Sequence, residues 1–251
     1  MYLNVLAIIL LIGGGYGIKF VLDQRADEKE ALIKQQELIA SQQKKAKEIK
    51  ERLDKNENEI KKTNIHRDFK KLKEENPDTV AWLYVPGTDI NMPIVKGKDN
   101  SYYLAHGFDK SLNSMGWACA DYQNTFPDLS TNTIMYGHTY RMTTIFSKLK
   151  NVLEDSWLDN EEKQIITFDT ETERLKFQVF SVYTIDKTND YLKISFSSSD
   201  KYQEYLDKSI ERSIKKFKVK PTTNDKILTI STCYIDSNQR LVVQAKLIGS
   251  V

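Results

Sequence analysis

The sequence contains only two cysteines and three histidines, so any cysteine–histidine chemistry must be built from five residues. Cys233 follows the apolar run at 227–230 and precedes a polar loop, which places it at the end of a predicted strand. A thiol at such a position can be exposed enough to act as a nucleophile. Cys119 lies within an interior strand pattern and is expected to pack as a small buried hydrophobic side chain. A disulfide between the two cysteines is the alternative, which an extracellular domain would permit.

The three histidines differ in their sequence surroundings. His138 follows the buried-type run at 133–136 and Gly137, so it lies where a predicted strand ends, and strand ends commonly carry catalytic groups. His106 lies at the end of a predicted helix, where a histidine can cap carbonyls, and His66 lies among lysines on a predicted surface helix. Taken alone, a histidine such as His138 is more often structural than catalytic.

Arg240 begins the last predicted strand, seven residues after Cys233. If the intervening loop is a hairpin connection, the two residues lie near the same end of adjacent antiparallel strands. A permanent cation beside a thiol favours the thiolate, and its N–H groups can also bind an oxyanion. An ordinary salt bridge between Arg240 and Asp236 is the alternative, and the spacing alone favours neither.

The elements that must position these residues are mostly short strands. Eight alternating or apolar runs bounded by turn residues predict a mainly β domain, either a sandwich or a closed barrel, at Thr79–Val85, Ile90–Val95, Gly116–Asp121, Asn132–Tyr136, Gln164–Phe168, Leu175–Thr184, Lys226–Thr232 and Leu241–Ile248. Peripheral helices are predicted at His66–Glu75, Thr144–Leu153 and Ser199–Phe217.

The first 22 residues form a separate apolar segment. Tyr2–Leu22 contains one charge, Lys19, and is just long enough to span a bilayer as a helix. No basic region precedes it and no small-residue cleavage site follows it, so we predict an uncleaved transmembrane signal anchor at 1–22 over a cleaved signal peptide. Because positive charges follow the span, the positive-inside rule does not support an outward-facing C-terminal domain.

Residues 23–64 are predicted to form a charged helical stalk. The segment is rich in both Lys and Glu and contains no Gly, Pro or aromatic residue between 23 and 62, so it cannot bury a core of its own. Apolar residues recur every seven positions, but most of the matching second positions are polar, which makes a poor coiled-coil seam. We therefore expect a solvated helix between the anchor and a folded domain at 65–251.

Overall composition excludes several classes of function. With 37 Lys and Arg against 35 Asp and Glu, the formal charge is +2, which gives no reason to expect nucleic acid as a partner. Five cysteines and histidines leave little room for a structural zinc site, whose closed shell needs four such ligands.

The folded domain contains five motifs: Ile230–Cys233 with Arg240 opening the next strand, Asn132–His138, Gly87–Val95, Asp99–Leu104 and Asp121–Asn124. Together these motifs resemble the sortases of Gram-positive bacteria, most closely class B. Ser231 before Thr-Cys and the long helix before the penultimate strand are similar to class B, and the likeness runs from about residue 66 to the end.

The resemblance implies an eight-stranded sortase-type β-barrel and a cysteine transpeptidase activity. It implies that Cys233 is the nucleophile, that His138 is the general acid and then the general base, and that Arg240 stabilises the oxyanion or holds the substrate backbone. It further implies that the substrate groove is lined by Asn124, Ser231, Tyr191 and Leu192. No metal or organic cofactor is expected.

The resemblance also implies partners and a location. The substrates would be surface proteins with a C-terminal sorting signal, cleaved after Thr, and the acceptor would be an amine of the peptidoglycan cross-bridge or its precursor. The enzyme would be a single-pass protein of the plasma membrane with its catalytic domain outside the cell. A secreted cysteine peptidase that only hydrolyses, and a non-catalytic membrane-anchored scaffold, are the alternatives.

Overall fold

The computed structural model describes residues 25–26, 29–30, 32–38, 40–41, 44, 68–139, 145–234 and 238–250, with Cys233 and Tyr234 described through their backbone. The predicted anchor at 1–22, most of the predicted stalk, His66 and Asp236 lie outside the described residues. Within the described part of the chain, no helix is both long and apolar enough to cross a bilayer.

Eight strands form one closed barrel in the order β1-β2-β3-β4-β7-β8-β6-β5. The strands are β1 (Thr79–Tyr84), β2 (Asn91–Val95), β3 (Cys119–Ala120), β4 (Asn132–Gly137), β5 (Ile165–Asp169), β6 (Arg174–Asp186), β7 (Ile227–Tyr234) and β8 (Gln239–Ser250). The strand pattern in the sequence is compatible with a sandwich or a closed barrel, and the structure shows the barrel that the resemblance implies.

The third strand is much shorter than predicted. Gly116 has a φ of +63°, and the next residue, Trp117, donates its backbone N–H to the carbonyl of Tyr103 at 2.7 Å. Trp117 therefore pairs with a neighbouring chain segment and not with a strand, and β3 covers only Cys119 and Ala120.

Two strand pairings decide where the ends of the central strands meet. β4 and β7 run parallel, and β7 and β8 run antiparallel. Consequently the C-terminal ends of β4 and β7 and the N-terminal end of β8 lie at the same edge of the barrel.

Between residues 68 and 250, three α-helices and two 3-10 helices lie around the barrel in the described part of the chain. They are α1 (Phe69–Glu75), a 3-10 helix at Tyr102–Leu104, a 3-10 helix at Ser147–Leu153, α2 (Asp155–Leu158) and α3 (Ser199–Arg212). The helix predicted over 144–153 is thus a 3-10 helix in its described part, followed by the single turn of α2.

The helix α3 ends five residues earlier than predicted. Ser213 adopts extended backbone angles, and its hydroxyl accepts from the N–H of Val182 at 3.1 Å and donates to the carbonyl of Lys215 at 2.8 Å. These bonds tie the chain to β6, so the helical pattern cannot continue to Phe217. The predicted apolar face is confirmed, because Tyr202, Tyr205 and Leu206 are buried.

The described residues of the predicted stalk are helical, but they do not form a wholly solvated helix. Gln35 is buried against Met92, and Leu38 packs on the barrel core. Lys34 forms a salt bridge of 2.9 Å with Asp109. Residues three positions apart share a helix face, so this short stripe suffices to pack part of a highly charged helix on the domain.

Candidate active site

The three residues predicted to do chemistry lie at the same edge of the barrel. In the β7–β8 ladder the backbone of Cys233 is paired directly with Arg240, which confirms the predicted hairpin arrangement. In the β4–β7 ladder Gly137 is paired with Thr232, so His138 follows one residue beyond this pair, beside the position of Cys233. The fold thus brings together a thiol-bearing, an imidazole-bearing and a guanidinium-bearing position from three neighbouring strands.

The imidazole of His138 is half-buried, and it has one hydrogen-bond partner among the residues that the structure describes. Its Nε2 lies 3.0 Å from the backbone carbonyl oxygen of Leu104, in the first 3-10 helix. The backbone carbonyl of His138 accepts from the N–H of Phe146 at 2.9 Å. Both ends of the residue are therefore held by segments outside β4.

Gly137 allows close packing just before the histidine. A Cβ at this position would lie 2.6 Å from the aromatic ring of Phe146, a distance shorter than Cβ atoms keep from their neighbours in real proteins. The ring fills the space where a side chain would stand, and it keeps the exit of β4 in one conformation.

Cys119 is placed where it cannot serve as the nucleophile. Its thiol is free and 2% exposed. Burial, together with the negative charge of Asp121, raises the pKa of the thiol to about 12. The thiolate is the nucleophilic form, so this side chain is unreactive at neutral pH. Its packing role is confirmed, and because Cys119 is free, the alternative of a disulfide with Cys233 is wrong.

Arg240 is half-buried at the start of β8. Its Nη1 donates to the backbone carbonyl of Gln239 at 2.9 Å. Because Asp236 lies outside the described residues, the alternative of a salt bridge with it is not tested. The permanent charge of a guanidinium beside the Cys233 position is the feature that acyl transfer would use.

Two of the residues predicted to line the groove are bonded to each other. Tyr191 and Ser231 are both buried, and the tyrosine hydroxyl lies 2.9 Å from the serine hydroxyl. Leu192 is half-buried and packs on the cluster around α3. Their contacts with a substrate stay predictions.

Asn124 lies in the loop between β3 and β4 and is bonded to the barrel wall. It is 2% exposed, its Nδ2 donates to the carbonyl of Asn132 at 2.9 Å, and its Oδ1 accepts from the N–H of Ile134 at 2.8 Å. Both ends of the amide are thus bonded to the backbone of β4. These contacts favour a role in holding the strand that carries His138, and its role as a substrate contact stays a prediction.

Sequence reasoning missed a polar network beside the site. The carboxylate of Asp121 accepts from the hydroxyl of Tyr136 at 2.7 Å and from the amide of Asn100 at 2.8 Å. Burial and this bond raise the pKa of Tyr136, so the hydroxyl stays protonated. Asp121 and Asn100 belong to motifs quoted above, but nothing in their spacing shows that they meet.

A closed barrel with cysteine, histidine and arginine positions at one edge has the parts of a cysteine acyl-transfer enzyme. Among the described residues, no three His, Cys, Asp or Glu side chains are grouped so that they could hold a metal ion. The family model for the sortase domain matches residues 83–248, about two thirds of the chain. The chain belongs to the sortase family, a family of cysteine transpeptidases, and its relatives place it in class B.

Curated relatives and solved structures agree on the class. The chain is 34% identical over 187 residues to sortase B of Staphylococcus aureus, covering 73% of this chain and 76% of that protein. It is 31% identical over 185 residues to sortase B of Listeria monocytogenes, covering 72% and 73%. The structure matches a Staphylococcus aureus sortase B–substrate complex with a TM-score of 0.69 at 30% identity, covering 85% of this chain and 97% of that one. It matches a sortase B complexed with triglycine with a TM-score of 0.71 at 30% identity, covering 85% and 98%.

Proposed function

We propose that this transpeptidase is a membrane-anchored enzyme that cleaves a C-terminal sorting signal after Thr and transfers the upstream protein to a cell-wall amine. The observation that carries the proposal is the register at the barrel edge. Cys233 is paired with Arg240, and His138 lies one residue beyond the pair of Gly137 with Thr232. Three groups that acyl transfer needs thus share one edge.

Cys233 is proposed as the nucleophile. The chain has two cysteines, and the other, Cys119, is buried with a pKa of about 12. The thiolate attacks the carbonyl carbon of the Thr residue in the sorting signal and forms a thioester. The fragment downstream of Thr leaves as an amine.

His138 is proposed to carry the protons of both half-reactions. It donates a proton to the leaving amine when the thioester forms, and it accepts a proton from the incoming amine when the thioester is resolved. Since a thiol and an imidazole in one site titrate as a coupled pair, the two are best treated together.

Arg240 is proposed to stabilise the oxyanion of the tetrahedral intermediates or to hold the substrate backbone. A guanidinium presents five N–H donors and keeps its charge throughout the cycle. Donors aimed at the developing negative charge supply a large part of the stabilisation in acyl transfer.

The acceptor is proposed to be an amino group of the peptidoglycan cross-bridge or its precursor. Structures of related sortase B have been solved with triglycine and with a substrate. Glycine peptides offer an unhindered primary amine, which suits attack on a thioester.

The location is proposed from the sequence. The apolar segment Tyr2–Leu22 would anchor the chain, and the catalytic domain would lie outside the plasma membrane. An anchor that holds the enzyme near secreted substrates raises the effective concentration of both.

The experiment uses the full chain in detergent micelles with a library of sorting-type peptides, with and without added triglycine. We expect a new amide with triglycine for the wild type and for Cys119→Ala, and no product for Cys233→Ala. Free acid alone in both conditions would favour the hydrolytic peptidase. Cleavage that survives Cys233→Ala would remove the nucleophile assignment.

A further inference from the structure

The contact between His138 and the first 3-10 helix restricts the chemistry of the imidazole. The Nε2 atom lies 3.0 Å from the carbonyl oxygen of Leu104. A carbonyl oxygen can only accept a hydrogen bond, so the contact requires a proton on Nε2. In a neutral imidazole only one nitrogen is protonated, and the bond made by one nitrogen sets the state of the other.

The carbonyl of Leu104 is held in place by the residues around it. Asp99 begins the turn, because its Oδ1 accepts from the N–H groups of Ser101 and Tyr102 at 2.7 Å and 2.8 Å. Gly116 packs against the other side of the same turn. Its φ is +63°, and a Cβ there would lie 2.5 Å from the carbonyl oxygen of Tyr103 and 2.9 Å from that of Leu104.

Because of these two contacts, only glycine fits at position 116 beside this turn. The atoms that a Cβ would meet are backbone atoms, which cannot move aside as the end of a flexible side chain can. Any larger residue at 116 must therefore displace the turn that presents the Leu104 carbonyl to His138.

We propose that the Leu104 carbonyl fixes neutral His138 as the Nε2–H tautomer, with Gly116 as the positioning residue, so that Nδ1 is the nitrogen that exchanges protons during acyl transfer. The second half of this statement rests on the proposed function. The first half concerns the resting enzyme and stands without it.

The proton balance follows from this assignment. The thiol of Cys233 first gives its proton to Nδ1, which leaves a thiolate and an imidazolium. In acylation the imidazolium then gives this Nδ1 proton to the leaving nitrogen as the C–N bond breaks and the C–S bond forms. In the transfer step neutral Nδ1 takes a proton from the attacking amine as the new C–N bond forms and the thiolate leaves. In both steps Nε2 keeps its proton and donates it in a hydrogen bond to the Leu104 carbonyl.

The test reads the tautomer directly by NMR of the full chain in micelles, labelled with ¹⁵N at histidine. The signals of His138 are assigned by their loss in His138→Gln. We expect a protonated Nε2 with a proton signal protected from solvent, and an unprotonated Nδ1 in the neutral form.

Two glycine variants separate positioning from backbone strain. Gly116→Ala should remove the protected Nε2 proton signal and lower kcat/KM at least about tenfold, as expected for a misplaced proton donor. Gly87→Ala is the matched control, because Gly87 also has a positive φ, +76°, but its Cβ would meet the side chain of Trp157. It should keep the signal and change kcat/KM less than about twofold.

If Gly116→Ala does not fold, Asp99→Ala loosens the same turn from its other end and should weaken the same signal. A neutral His138 protonated on Nδ1, or an Nε2 signal unchanged in a folded Gly116→Ala variant, would overturn the proposal. Absence of transpeptidation with the Nε2–H tautomer intact would instead refute the proposed function, so the two failures are distinguishable.

Discussion

Replacing Asn124 tests whether this side chain holds the barrel wall or contacts the substrate. In Asn124→Ala the carbonyl of Asn132 and the N–H of Ile134 both lose a partner within a buried site. A buried polar group left without a partner costs about 1–3 kcal/mol, so losing two bonds predicts destabilisation of about 2–6 kcal/mol. The effect acts on β4, the strand that leads to His138.

The assay combines urea unfolding with steady-state kinetics. Asn124→Ala should lower the free energy of unfolding by the amount above and reduce kcat through the displaced strand. Gln123→Ala, at an exposed neighbouring position, is the control and should change stability by less than about 0.5 kcal/mol. A rise in KM without any loss of stability would refute the reasoning and favour the substrate-contact role.

Three further changes test the packing around the site. Gly137→Ala should destabilise the protein by about 1–3 kcal/mol in thermal unfolding because its Cβ meets the ring of Phe146, and Phe146→Leu should restore part of the loss. Tyr191→Phe and Ser231→Ala should each cost about 1 kcal/mol, and the double variant should cost less than their sum in a double-mutant cycle; additive costs would contradict the bond. Burial raises the pKa of Asp109, but hydrogen bonds from Ser111 and Lys34 outweigh this effect and hold the pKa at about 2. The stabilising contribution of the Asp109 carboxylate is therefore full above pH 3.8 and is lost as the pH falls through about 2. Because the side chain is half exposed, Asp109→Asn should lower the free energy of unfolding by less than about 1 kcal/mol at pH 7. Urea unfolding should show no difference between the variant and the wild type below pH 2.

Much of the barrel could be predicted from the sequence, because strands with alternating or fully apolar patterns are local signals. The pairing of Cys233 with Arg240 could also be predicted, since a hairpin connects residues that are only seven positions apart. The position of His138 beside Cys233 could not be predicted from the sequence spacing. Gly137 and Thr232 are 95 residues apart, and a parallel pair across such a distance leaves no periodic signal.

The errors arise from contacts that form only in the folded domain. The end of α3 depends on the hydroxyl of Ser213 and the backbone N–H of Ile214, which bond to the backbone of Val182 on β6 only once the barrel has formed. Packing of Gln35 on Met92 depends on a contact with the folded domain, and composition alone predicts a solvated helix there. The Leu104 carbonyl has no sequence signature at all, because every residue carries one.

We propose that Cys233 forms the covalent intermediate while Cys119 stays inert. The most direct measurement is the intact mass of the enzyme quenched during turnover of a sorting-type peptide, followed by peptide mapping of the adduct. We expect a hydroxylamine-sensitive thioester, carrying the fragment that ends in Thr, on the peptide that contains Cys233. An adduct on Cys119, or product formation with no adduct on Cys233 under any quench time, would contradict it.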